Sequence, residues 1–157
     1  MVPPVFTLAC PTVFSTQGSF TIDVPLEAVW ALRTDVGSWA LWDDEIVSAS
    51  LDGPFATGST GRIKYRRFPE GTLKMRVVEQ QKRYASEISL AGISMTQDHL
   101  LSHSEAGTTL VEEITIDGAL ASVLGRRIKK TLPKTIDRFQ ELAAGMTNER
   151  MLRKRGL

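Results

Sequence analysis

The sequence predicts an α+β domain, in which a curved antiparallel sheet of about seven strands wraps around one long C-terminal helix, with two short helices after the first strand. Three observations predict it. Apolar and polar residues alternate with a period of two across most of residues 60–117. The connections between those runs are too short for parallel crossovers. After Gly118 the period changes to that of a helix. A length of 157 residues suits one domain. Its expected extent is 19–145, with an N-terminal arm over 1–18 and a basic tail over 146–157.

The elements follow in order. Ser19 to Val24 alternates, placing Phe20, Ile22 and Val24 on one face of a half-buried strand. Pro25 and Glu27 suit a helix's first turn, and Leu26, Val29, Trp30 and Leu32 continue an amphipathic helix to near Gly37. Trp39 and Trp42, three apart, share one face of a further helical turn. Glu45 to Leu51 reads as the second strand, followed by the loop 52–58. Thr60 to Phe68 sets Ile63 and Tyr65 opposite Arg62, Lys64 and Arg66, and Pro69 to Gly71 turns the chain. Leu73 to Val77 and Tyr84 to Leu90 alternate cleanly. Ser94 to Ser104 and Thr108 to Asp117 pair around Glu105 to Gly107. Leu124, Ile128, Leu132, Ile136 and Phe139 then form the apolar stripe of a helix over about 119–144, with a kink expected at Pro133.

Composition excludes several function classes. Nineteen basic and eighteen acidic side chains leave a net charge of +1, which argues against a nucleic-acid binder. One cysteine, Cys10, excludes a disulfide framework, and two histidines leave little for a metal centre, so no metal and no cofactor are expected. No apolar run is long enough for stable membrane insertion. The apolar N-terminus lacks a basic leader and carries Pro3, Pro4 and Pro11, so it reads as a loose arm and a cytoplasmic location follows as the default. The glycine-rich stretch 53–61 lacks the lysine of a phosphate loop.

The last hairpin carries the one pairing of chemical interest. If Ser104 pairs with Gly107, then Met95 faces Ile116, Gln97 faces Ile114, His99 faces Glu112 and Leu101 faces Leu110, and the other face is almost wholly polar. A shift by one residue mixes both faces. The favoured register sets His99 beside Glu112 on the helix-covered side, where ionisable groups must pair or meet a ligand. Three readings stay open for this pair: a self-satisfied structural contact, a ligand anchor, or a base made more basic by its carboxylate. Tyr65 faces inward and offers a hydroxyl, or fills core with that hydroxyl at the rim. Trp39 and Trp42 line a pocket mouth or belong to the core.

The chain resembles the START-like (SRPBCC) helix-grip superfamily, in its polyketide cyclase/dehydrase and lipid-transport branch. The matching segments are Val24 to Trp30, Trp39 to Trp42, the loop Leu51 to Gly58, His99 in its strand, Gly107-Thr108, and Gly118 to Leu120. The likeness covers about Ser19 to Ala144. It implies a sheet gripping a C-terminal helix over an apolar cavity that holds lipids, hormones or polyketides, with catalysis in a minority of members. No universal catalytic motif carries over. The leading expectation is therefore a carrier or sensor of a small hydrophobic or aromatic ligand. Met75, Val77, Ile88, Leu101, Leu110, Ile114, Leu132 and Ile136 would line the cavity, with Tyr65, His99 and Glu112 as polar anchors. The alternatives are a cyclase/dehydratase using His99 and Glu112 as base with Tyr65 stabilising an enolate, and a protein-interaction module using the arm and the basic tail. Monomer and homodimer both remain open.

Overall fold

A computed structural model describes residues 13–156. Seven strands form one antiparallel sheet: β1 (Val13–Ile22), β2 (Ile46–Leu51), β3 (Thr60–Tyr65), β4 (Gly71–Glu79), β5 (Arg83–Leu90), β6 (Ile93–Ser104) and β7 (Gly107–Gly118). Their spatial order is β1-β7-β6-β5-β4-β3-β2, a meander whose first strand closes back onto the last. Between β1 and β2 lie α1 (Leu26–Thr34), a single 3-10 turn (Val36–Ser38) and α2 (Trp39–Trp42). The long helix α3 (Ala121–Lys154) lies on the sheet's inner face. This is the helix-grip arrangement. Among the described residues no helix is long and apolar enough to cross a membrane.

The alternation that defines the strands also sorts the core. Ile22, Leu73, Met75, Ile88, Leu110 and Ile116 are completely buried, as is Phe139 of α3. The β6–β7 register is the one derived from the hydrophobic pattern: Met95 faces Ile116, Gln97 faces Ile114, His99 faces Glu112 and Leu101 faces Leu110. Gly107 makes the turn with φ +121°, and a Cβ there would lie 2.2 Å from the Ile22 carbonyl oxygen.

Both ends of the expected domain differ from expectation, and so does the course of β4. Residues 13–18, assigned to an arm, are the first part of β1 and pair with β7 from Val13–Asp117 to Gly18–Glu112. The alternation extends that far back because Phe14 packs inward against α3 at Gly125, where a Cβ would sit 2.1 Å from the Phe14 ring. The rest of the expected arm, residues 1–12 with Cys10, lies outside the described residues. At the other end, most of the expected basic tail is helix. Gly145 does not stop α3, because Leu142, Ala143 and Met146 still pack on the core and hold the turn around it. Arg153 and Lys154 then complement the helix dipole in the last turn. Pro133 lies inside the run of α3. Finally, a bulge between Met75 and Val77 resets β4.

Candidate functional site

A row of polar side chains crosses the inner face of the sheet. Tyr84 of β5 lies opposite His99 of β6, which lies opposite Glu112 of β7. All three are buried, and the His99 ring stacks on Tyr84 with centroids 4.3 Å apart and planes 25° from parallel. Arg33, in the last turn of α1, descends onto this row and is only 3% exposed. Its Nη2 donates to Glu112 Oε1 at 2.7 Å, and its Nη1 donates to the Tyr84 hydroxyl at 3.4 Å. The guanidinium also lies against two aromatic rings that meet edge-to-face, with Cζ 4.4 Å from the Phe139 centroid and 4.9 Å from that of Trp42. Contacts of this kind hold a cation that is shielded from water. Trp39 Nε1 donates to the Arg33 carbonyl at 2.9 Å, which ties α2 to the end of α1.

Protonation follows from this geometry. Burial alone would raise the Glu112 carboxyl, but the Arg33 charge and the neighbouring His99 outweigh it and hold the pKa at about 2. Burial opposes the charge on Arg33, yet the oxygens of Tyr84 and Glu112 keep it protonated, with its pKa raised further. Burial pushes the Tyr84 hydroxyl up to about 12. For His99, burial dominates and lowers the pKa despite Glu112, while Arg33 adds to the lowering. His99 Nδ1 approaches Glu112 Oε1 to 3.3 Å without the alignment of a hydrogen bond. The imidazole is therefore neutral beside a closed Arg33–Glu112 ion pair. Glu112 does raise the basicity of the imidazole, as expected, but burial outweighs that effect.

These residues wall a partly open cavity of about 80 Å³ between the sheet, α2 and α3. Asp43, Glu45 and Tyr65 are half-buried and form its more exposed end. Burial, with Glu45 and Asp44 adding to it, pushes the Asp43 carboxyl up. The hydrogen bonds from Arg127 hold Glu45 down. Burial next to the Asp43 and Glu45 carboxylates raises the Tyr65 hydroxyl. The connection from α2 to β2 is clipped onto α3 by a bidentate Arg127–Glu45 pair at 2.7 and 3.1 Å, and by Asp44 with Lys134 and Arg138.

Of the residues expected at the site, Tyr65, His99, Glu112, Ile114, Leu132 and Ile136 line this cavity together. Met75, Ile88, Leu101 and Leu110 are buried in the core but do not border it. Val77 is displaced by the β4 bulge: Val78, not Val77, pairs with Tyr84 and packs on the core. Trp39 and Trp42 satisfy both of their readings, being buried and lining the cavity. Arg33 and Tyr84 were missed. Arg33 stands seven residues after Leu26 and four after Val29, on the buried face of α1, so its period carried the signal. Tyr84 was reachable by extending the register from β6 to β5.

The sheet, the gripped helix and the cavity between them define a START-like helix-grip protein. The comparisons agree. A family model described as polyketide cyclase / dehydrase and lipid transport matches residues 13–148, and the chain belongs to that family. No curated protein matches the chain. Among solved structures it is similar to Ara h 8.0201, with a TM-score of 0.69 at 12% identity, covering 85% of this chain and 99% of that one. It is also similar to protein MLL2253 from Mesorhizobium loti, with a TM-score of 0.68 at 18% identity, covering 82% of this chain and 96% of that one. At these identities the likeness is one of fold.

Proposed function

We propose that this protein binds a small, largely apolar molecule in the cavity beneath α3, as a carrier or sensor. The observation that carries the reading is the buried Tyr84–His99–Glu112 row, closed by Arg33, in the wall of a cavity otherwise lined mainly by Trp, Ile and Leu. Fixed polar groups set in an apolar pocket orient a ligand and select among ligands. His99, Glu112 and Tyr65 act as polar anchors, and Ile114, Leu132 and Ile136 supply apolar contact. Volume narrows the class. About 80 Å³ is less than the roughly 150 Å³ that encloses benzene, so a ring-sized ligand requires α3 to yield outward at Leu132 and Ile136. A long acyl chain would need far more room than a one- or two-ring molecule.

The test is a titration of 1-naphthol and of palmitate, followed by thermal shift and calorimetry, on the natural protein and on Leu132→Trp. Naphthol is expected to raise the melting temperature of the natural protein and to have no effect on the variant. Equal shifts for both proteins would place the binding elsewhere and overturn the reading.

A further inference from the structure

The two edges of the sheet are built differently. β2 is short, its pairing with β3 shifts between Ile46 and Ser48, and Asp44 and Glu45 stand just before it. Short length, bulges and charge are the features that keep a sheet edge from joining other chains. β1 has none of them. Its ten residues include no charged side chain and no proline. Its pairing with β7 runs from Val13 to Ile22 without a shift in register. Among the described residues only β7 hydrogen-bonds to the backbone of 13–21, and α3 meets the strand on its inner face, at Phe14 and Gly125. Every second residue of β1 therefore turns an N–H and a carbonyl away from β7, along the open edge.

Charge points to the occupant. A strand added to this edge must itself be an open edge free of conflicting charge, and the β1 of a second copy meets both conditions. A two-fold axis brings like residues close together, which a charged edge resists and a neutral one permits. Apolar surface lies beside the edge as well. Val13, Leu120 and Val123 are 51–59% exposed and gather where β1 begins and α3 follows β7. We propose that two copies of this chain associate by antiparallel pairing of their β1 strands, joining two seven-stranded sheets into one. Ser15, Gln17, Ser19 and Thr21 are exposed and must stay on the outer face, so the axis falls at Gln17 or Gly18. The corner formed by Val13, Leu120 and Val123 then lies beside the far end of the second copy's β1 and is shielded from water there. This association is independent of the ligand-binding reading.

The test is sedimentation velocity of the full chain from about 1 to 100 μM, with amide hydrogen exchange measured at both ends of that range. The natural protein is expected to pass from monomer to dimer as concentration rises, and exchange in β1 should slow as it does. Gln17 is exposed and stands opposite Glu113 of β7, so Gln17→Glu adds a carboxylate at the axis to one already beside it. That variant should weaken the dimer at least about tenfold. Fluorescently labelled Gln17→Glu should dimerise again when Gln17→Lys is added. The exchange rates of the natural protein decide the matter if either variant does not fold. A natural protein that stays monomeric to about 100 μM overturns the proposal. So does a dimer that Gln17→Glu leaves intact, or one in which the β1 amides exchange as fast as in the monomer.

Discussion

Arg33→Met is the substitution with the largest expected effect. Methionine fills much of the same space against Phe139 and Trp42 but removes the cation that neutralises Glu112. Two lines of reasoning give the size. Removing one member of a buried ion pair costs about 3–5 kcal/mol. Independently, holding Glu112 at about 2 rather than its ordinary 4.5 corresponds to roughly 3 kcal/mol of folding stability above pH 5. The sign with pH is distinctive. In the natural protein the Glu112 contribution is present above its unfolded pKa and is lost as pH falls through the folded one. In the variant, burial is unopposed and raises the folded pKa, so the penalty is greatest at neutral pH and is relieved as acid protonates Glu112. Urea unfolding at pH 7 and pH 4 measures both. A difference of less than about 1 kcal/mol at pH 7, or one that fails to shrink at pH 4, would refute the reasoning. Adding Glu112→Leu to Arg33→Met should recover most of the loss, since an apolar replacement for a buried pair is often neutral.

Other consequences are simpler to check. The His99 imidazole, lowered by burial, should stay neutral in ¹⁵N spectra at pH 6, and stability should fall as acid protonates the unfolded chain but not the folded one. Protonation near the ordinary 6.5 would count against the closed ion pair. Gly125→Ala meets the Phe14 ring at 2.1 Å and should cost about 1–3 kcal/mol, whereas Gly145→Ala has nothing within 4 Å and should gain up to about 1 kcal/mol of helix propensity. The two unfolding curves should therefore move in opposite directions. Val78→Ala should destabilise more than Val77→Ala, by about 1 kcal/mol, if the β4 bulge turns Val78 inward; the reverse order would remove the bulge.

How much of this was legible in the sequence depended on whether one residue's period or several elements' meeting decided the outcome. The β6–β7 register was readable because a slip by one residue would mix apolar and polar side chains on both faces, and His99 opposite Glu112 followed from it. The Met75–Val77 bulge was not readable: both valines after Arg76 are apolar, and only pairing with β5 chooses between them. The extension of β1 back to Val13 depended on Phe14 finding Gly125, more than one hundred residues away in the chain. Gly145 looked like a helix end because local propensity favours one there, and tertiary packing of Ala143 and Met146 overrode it. Arg33 is the instructive miss. A charged residue on an apolar helical face looks like the edge of the stripe until the partner it meets, on a strand seventy-nine positions later, is known.

That partner changes the chemistry of the site. Glu112 is paired with Arg33 and burial lowers the His99 imidazole, so the row carries no net charge. Binding is the chemistry we propose for such a wall.

The most direct measurement is to unfold the purified protein and identify by mass spectrometry any small molecule released from it. A stoichiometric, largely apolar molecule, retained by the natural protein and absent from Leu132→Trp, is the predicted result. A natural protein that releases nothing and shows no thermal shift with any one- or two-ring compound would contradict the account.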